Sequence, residues 1–310
     1  MLLYRNIHLM LPLNTYIKHP SLALSSLLRE ANFLFPDKLY LRLMFRLKMG
    51  YWPNLKHPKT FSEKLQWLKL YNRRPEYTQM VDKMAVKDYV AGIIGSEYVI
   101  PTLGVWERPE DIEWDVLPRQ FVLKTTHGGG GSGVVICLDK NTFNREDAVK
   151  KLNESLKKDI YKTLREWPYK NVHKRIIAEQ YLSNDGELLE DYKVHNFNGI
   201  PRFILLCRDR FKESGLTDDF YTTKWEHLDV KRPEHDNPGG HDQPKELEEM
   251  LGLAERLSKG IPFVRTDFYT AGNKVFFGEL TFFPAGGMSK FEPEQYDELF
   301  GSWLHIDMGG

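Results

Sequence analysis

The stretch 121–136, FVLKTTHGGGGSGVVI, sets a lysine inside an apolar run and follows it with four consecutive glycines. Glycine loses more backbone freedom on folding than any other residue, so such a run needs a reason. Glycines after a strand let backbone N–H groups approach a phosphate closely, and Lys124 on the strand adds positive charge. A P-loop would put the lysine after the glycines. A G-x-G-x-x-G turn would open a helix, whereas GVVICL continues as a β-branched strand. The pattern therefore predicts a glycine-rich hairpin flap over phosphates, with a flexible surface hairpin as the alternative.

A second hairpin is legible at 263–284, FVRTDFYTAGNKVFFGELTFFP, turning at Ala271-Gly272-Asn273. Alternate residues of a strand share a face, so Arg265 lies beside Asp267, and Glu279 beside Thr281. With Asp267 opposite Glu279, two carboxylates and a hydroxyl next to an arginine form a hard-oxygen cluster suited to Mg²⁺ with phosphate oxygens. An ordinary cross-strand polar patch is the competing reading. Asp82-Lys83 and Lys87 stand at a helix start as further cations for a phosphate. RIIAEQYL, 175–182, reads as a buried strand that ends in Glu179 and Gln180. It can offer backbone groups and a carboxylate to a nucleobase and ribose.

The chain has 310 residues, long enough for two or three lobes, and its 43 Lys plus Arg balance 43 Asp plus Glu. Global charge thus gives no argument for a polyanionic partner. Two cysteines, Cys137 and Cys207, form neither a metal spacing nor a disulfide framework, in keeping with a reducing compartment. No apolar run reaches the roughly 18 residues of a membrane span. The segment 1–20 is apolar but broken by charges and prolines, unlike a signal peptide.

Helices are expected over 22–50 with Gly50 as a stop, from Ser62 as a cap, over 76–94, over about 145–166, and over KELEEMLGLAERLSKG (245–260). SEYVIP, QFVLKTT, GVVICL, RIIAEQYL, DYKVHNFNG and PRFILLCRDR read as strands. The polar stretch 211–245 reads as an irregular functional loop in which Tyr221 and Trp225 could stack on a sugar. Its His227, His235 and His241 lack a zinc spacing. Lys193 and Arg202 could meet anionic groups, with His195 in phase with Lys193, and the Pro284–Ser289 turn is a natural approach for a carboxylate. The mixture predicts an α+β, or mixed α/β, architecture.

The order of these pieces, together with KTFSEKLQWLKLYNR (59–73), REWPYKN (165–171), DYKVHNFNG (191–199) and GELTFFP (278–284), resembles the TupA-like proteins of the ATP-grasp superfamily, over roughly residues 35–305. The resemblance implies two α+β lobes clasping ATP behind a helical N-terminal region. It implies a division into 1–75 (helical), 76–120 (leading into the fold), 121–180 (small lobe with the glycine loop) and 181–310 (large lobe with the metal site). Lys83, Lys124, Gly128, Gly129, Gly130, Gly131 and Ser132 would meet the phosphates of ATP, and Glu179, Gln180, Tyr181 and Leu182 the adenosine. Asp267, Glu279 and Thr281 would hold Mg²⁺, with Thr281 standing where many ATP-grasp enzymes have Asn. Arg265 would steady an oxyanion and acyl phosphate, with Lys193 beside it.

The implied activity is an ATP-dependent carboxylate–amine ligase in bacterial surface polysaccharide synthesis. It would act on a carboxylate-bearing small molecule or glycan and an amine, with no nucleic acid partner. A sugar kinase on the same scaffold, with Asp191 as its base, is one alternative, and a scaffold without turnover is another. No clear D-x-D motif supports a glycosyltransferase. The expected location is cytoplasmic, with residues 1–50 as a candidate contact with the inner face of a membrane or with polysaccharide assembly.

Overall fold

The computed structural model describes residues 20–129, 131, 133–184, 189–208 and 216–308. Gly130 and Ser132, and the segment 1–19, lie outside the described residues. Helices α1 (Pro20–Glu30) and α2 (Asp37–Met49) open the described chain. Gly50 ends α2 in the left-handed region, φ 91°, where a side chain would be strained. α2 buries Tyr40, Leu41, Met44 and Phe45 at helical spacing, and this cluster reaches Met288 near the other end of the chain.

α3 (Phe61–Tyr71) begins two residues earlier than the sequence suggests. Its cap is Thr60, whose hydroxyl accepts from the Glu63 N–H while Glu63 reaches back to the Thr60 N–H. Ser62 sits inside the helix instead, and its N–H and hydroxyl both bond Asp297, at 2.9 and 3.0 Å. The expected helix over 76–94 is two helices, α4 (Glu76–Val81) and α5 (Ala85–Ile94). The break falls at Asp82, whose carboxylate accepts from the N–H groups of Met84 and Ala85 and so stands in for helical carbonyls. SEYVIP holds a single helical turn at Ser96–Tyr98, and strand β1 (Thr102–Trp106) follows it.

β1, β2 (Phe121–Thr125), β3 (Val134–Cys137) and β4 (Ile176–Gln180) form an antiparallel sheet in the order β1-β4-β2-β3. Residues 102–106 thus join the same sheet as the glycine hairpin. α6 (Arg145–Leu156) covers β2 and β3, and the remainder of the expected 145–166 helix is a separate short α7 (Ile160–Leu164). Phe121, Leu123, Leu152 and Ile176 form the core between them.

The second sheet is also antiparallel: β5 (Asp191–Phe197), β6 (Ile200–Arg208), β7 (Thr217–Thr222), β8 (Phe263–Ala271) and β9 (Lys274–Thr281), in the order β7-β6-β5-β8-β9. β7 lies within the stretch read as irregular loop. α8 (Leu247–Ser258) packs on β5, β6 and β8, and α9 (Gln295–Trp303) packs against α3. The core of this lobe is aromatic, with Phe197, Phe203, Phe263 and Phe300 in mutual ring contact. Each buried ring of this kind contributes about 1.5–3 kcal/mol relative to exposure. Two antiparallel sheets with helices packed on them make the architecture α+β, as the sequence predicts.

Candidate active site

The β8–β9 hairpin turns on two residues, Gly272 (φ 56°) and Asn273 (φ 60°), the double left-handed geometry of a tight two-residue turn. That turn sets the register Asp267↔Glu279 and Arg265↔Thr281, so the four groups meet on one face. A register shift just beyond Asp267 leaves Gly278 as the extra residue. A side chain there would strike Tyr269 at 2.9 Å and the Asp267 carbonyl at 3.1 Å.

The Arg265 guanidinium grips both Asp267 carboxylate oxygens at 2.6 Å, and reaches Glu279 Oε1 at 3.2 Å and Thr281 Oγ1 at 3.1 Å. Lys193 comes from the neighbouring β5, where it pairs in register with Asp267. Its ammonium bonds Asp267 at 2.6 Å and also Asp191. Burial disfavours its charge, but the two carboxylates outweigh that and raise its pKa. Burial likewise opposes ionisation of Glu279, yet Lys83, Arg265 and Lys193 hold its carboxyl down at about 2.

Glu279 keeps 31% of its side chain exposed, against 1% for Asp267. The oxygens present suit a hard cation. Among the described residues Glu279 Oε2 has only Lys83, 3.4 Å away, and Thr281 adds a hydroxyl, while Asp267 is held by Arg265 and Lys193. Among the described residues no three His, Cys, Asp or Glu side chains converge as a metal-holding group, so phosphate oxygens would have to complete the coordination shell.

The glycine hairpin faces this cluster through Lys83. Its N–H donates to the Thr126 carbonyl at 2.9 Å, and its ammonium bonds the Gly128 carbonyl and approaches Glu279. Asp82, besides capping α5, accepts from Arg175 at 3.1 Å, so the Asp-Lys pair is locked to β4. Gly131 and Gly133 have φ of 76° and 75°. At Gly133 a Cβ would fall 2.2 Å from Ser155 Oγ and 2.5 Å from Thr125 Oγ1, so both backbone angle and space exclude a side chain.

Lys124 lies diagonally from Glu179 on the β2–β4 ladder, two residues along, and meets its carboxylate at 2.5 Å. Lys87 grips the same carboxylate at 2.6 Å. Burial works against the Glu179 charge, but Lys124 and Lys87 together keep its pKa below the ordinary value. The Glu179 carboxylate therefore faces two lysines rather than open space. Gln180 is exposed and Tyr181 and Leu182 are half-buried. The backbones of Tyr181 and Leu182 make no backbone hydrogen bond among the described residues, leaving their edges available to a ring.

Other expectations resolve differently. Arg202 is exposed and lies over the Trp303 ring at 5.9 Å, outside the cluster. His195 stacks on Phe203 at 4.1 Å and bonds the Lys193 carbonyl through Nδ1. Burial, with Arg265 nearby, drives its pKa well below the ordinary value, so it stays neutral. Tyr221 spends its ring face on Trp225, 4.2 Å away and parallel.

The sequence reading missed how the 284–289 turn is held. Ala285, Gly286 and Gly287 are all left-handed, with φ of 51°, 67° and 64°. Gln66 donates to the Gly287 carbonyl at 2.7 Å, and the fully buried Lys69 to that of Gly286 at 2.7 Å. Glu166 is the counter-charge: burial raises its pKa to about 7 against the pull of Lys69 and Lys48. The available signal was Gln66 and Lys69 sitting on the same stretch of α3 as the buried Phe61, Leu65 and Leu68.

Two α+β lobes, with a lysine-bearing glycine hairpin on one and an Arg-Asp/Glu-Thr face on the other, define an ATP-grasp scaffold. The sequence matches the TupA-like ATPgrasp family over residues 63–305, and the chain belongs to that family. No curated protein matches it. Similar solved structures include the D-alanine–D-alanine ligase from Helicobacter pylori, 13% identical with a TM-score of 0.44, covering 80% of this chain and 70% of that one. D-alanyl-alanine synthetase A from Vibrio cholerae is 13% identical with a TM-score of 0.41, covering 73% and 63%. The Bacillus anthracis D-alanine–D-alanine ligase complexed with ATP is 16% identical with a TM-score of 0.37, covering 65% and 54%. The chain thus spans about half the length of that last ligase.

Proposed function

We propose that the protein is an ATP- and Mg²⁺-dependent carboxylate–amine ligase, acting on a uronic acid or amino acid in bacterial surface polysaccharide synthesis. The observation that carries this is Arg265, a half-buried guanidinium shared among Asp267, Glu279 and Thr281 on the face that Lys83 joins to the glycine hairpin. In this reading Lys83, Lys124 and the backbone of Gly128 to Gly133 hold the ATP phosphates, with Gln180, Tyr181 and Leu182 along the adenosine. Glu179 keeps Lys124 and Lys87 in place. Asp267, Glu279 and Thr281 would hold Mg²⁺, which supplies charge neutralisation between phosphoryl oxygens.

A substrate carboxylate oxygen attacks the γ-phosphorus and the bond to ADP breaks, giving an acyl phosphate. The amine then attacks the acyl carbon, the amide C–N bond forms, phosphate leaves, and the amine proton passes to solvent. Arg265 is placed to stabilise the oxyanion of the tetrahedral intermediate, and Lys193 holds Asp267 and hence Arg265 in orientation. Chemistry of this kind needs positioning and fixed charge rather than a protein nucleophile.

A kinase would need a carboxylate free to take a hydroxyl proton, and Asp191 is tied to Lys193. The reading includes a cytoplasmic location with a peripheral contact at the membrane or the assembly machinery. Exposed Leu27, Phe33 and Leu34, with Arg46 nearby in sequence, support that contact. Among the described residues no helix is long and apolar enough to cross a membrane.

Phosphorus NMR of the protein with Mg²⁺-ATP and a panel of uronic acids, amino acids and sugars tests the reading. ADP with equimolar free phosphate, dependent on both acid and amine, is expected. A new phosphoester without free phosphate would establish the kinase instead.

A further inference from the structure

A cleft of about 730 Å³ opens between α2, the 53–56 segment, α3 and the chain's last described residues, and it shares no lining residue with the Arg265 cluster. That volume falls inside the roughly 300–1,000 Å³ range of small-molecule sites. Its two helical walls are chemically distinct. α2 presents Lys38 and Arg42, four residues apart and so on one face, and both are exposed. α3 presents Trp67 and Tyr71 at the same spacing, with ring centroids 5.0 Å apart and Tyr71 50% exposed. Lys56 adds a third cation, and Asp307 is the one carboxylate lining the cleft. Among the described residues no salt bridge joins Lys38, Arg42 or Lys56 to a carboxylate, and the Arg42 guanidinium lies over the Trp52 ring at 5.6 Å.

The walls are also fixed before any ligand arrives. Arg73, just past α3, pairs at 2.6 Å with Asp37 at the start of α2, tying the two helices together. The Glu63 carboxylate accepts from the N–H groups of Asn54, Lys59 and Thr60 and so pins the segment that carries Lys56. Walls already tied together cost little ordering entropy on binding.

We propose that this cleft is a binding site for an acidic sugar unit of a glycan, separate from the nucleotide site. The carboxylate of such a unit would meet Arg42 and Lys38, since guanidinium and carboxylate match in geometry. The apolar face of its ring would lie on Tyr71, beside Trp67. A small inorganic anion would satisfy the cations but leave the aromatic wall without a role. A phosphate ester would favour a glycine turn or an open helix N-terminus; no glycine lines the cleft, and the N-terminus of α2 beside Lys38 carries the Asp37 carboxylate.

Calorimetric titration of the full chain with tetragalacturonate, with maltotetraose as the neutral control and citrate as the simple anion, tests the site. Binding of tetragalacturonate alone is expected, weakened about tenfold or more in Lys38→Glu/Arg42→Glu and severalfold in Tyr71→Ala. Mg²⁺-ATP affinity should stay unchanged in both variants, which shows that they fold and separates this proposal from the ligase reading. Citrate displacing tetragalacturonate while Tyr71→Ala binds normally would reduce the cleft to a cationic patch and overturn the proposal. So would the absence of binding at millimolar concentration, or binding that survives both variants. Competition between tetragalacturonate and Mg²⁺-ATP would move the acid to the nucleotide-side cleft and overturn the assignment as well.

Discussion

Lys124 and Glu279 are the residues whose contacts are most open to test. Lys124 shares Glu179 with Lys87, so Lys124→Ala does not strand the buried carboxylate. Breaking a buried pair outright costs about 3–5 kcal/mol, and the retained Lys87 contact should keep the loss below that. The variant is expected to fold and to bind ATP about tenfold or more weakly by calorimetry; equal affinity would remove Lys124 from the phosphate site. Glu279 is ionised at any working pH, because its carboxyl is held at about 2. Its contribution to stability is present above its ordinary value of 4.5 and is lost as pH falls from there toward 2. Glu279→Gln keeps the shape and an acceptor for Arg265 but removes the charge that a metal needs. Mg²⁺-dependent ATP turnover should vanish while the thermal midpoint changes little. Near-normal turnover would place the metal elsewhere.

At the level of elements, the hairpins were the readable part of this sequence. Alternation and a Gly-Asn turn fixed β8 and β9, and with them the meeting of Arg265, Asp267, Glu279 and Thr281. β7 was illegible for a physical reason. Asp218 and Asp219 are fully buried, on a strand that reads as polar. They are tolerated because Arg232 and His235 meet Asp218 while Arg208 and His241 meet Asp219, partners drawn from distant positions. The split of 76–94 was hidden in the same way, since Asp82 reads as an ordinary helical residue until its carboxylate is seen capping α5.

The start of α3 carries a similar long-range bond, and it makes a prediction. Asp297 is buried against Ser62, and burial, against those hydrogen bonds, raises its pKa from 3.8 to about 6. The folded protein thus holds a proton that the unfolded chain releases, so the cost of ionising Asp297 grows from pH 3.8 to 6 and is constant above. Asp297→Asn can keep the contact with Ser62 without that cost, on the order of 1–3 kcal/mol. Its thermal midpoint should exceed the wild type's by a few degrees at pH 8, and the two should converge below about pH 4.5. A uniform loss across that range would mean that the carboxylate itself holds α9 to α3.

Across the whole molecule, the two sheets have separate cores, and the site is assembled where they face one another. Lys83 touches both: the Gly128 carbonyl on the glycine hairpin and Glu279 on the carboxylate hairpin. Val81 and Val86 on either side of it pack in the core of the second sheet, while its own N–H bonds Thr126 and its neighbour Asp82 bonds Arg175, just before β4, so the lysine stands at the seam between the sheets. Without nucleotide this contact balances Glu279; with ATP phosphates between the lobes, the same ammonium would be shared with them. A ligand at 100 times its Kd stabilises the lobes that hold it by about 2.7 kcal/mol, and both lobes gain only if both are gripped. Hydrogen exchange with Mg²⁺-ATP should therefore slow in 121–136 and 263–281 together. Lys83→Met removes the bridging charge but leaves each sheet's core intact. In that variant nucleotide should bind more weakly, and at saturation the added protection should be confined to one sheet. Protection in both hairpins equal to that of the wild type would mean that the lobes are coupled through other contacts, with the backbone bridge Val99–Phe277 as the next candidate.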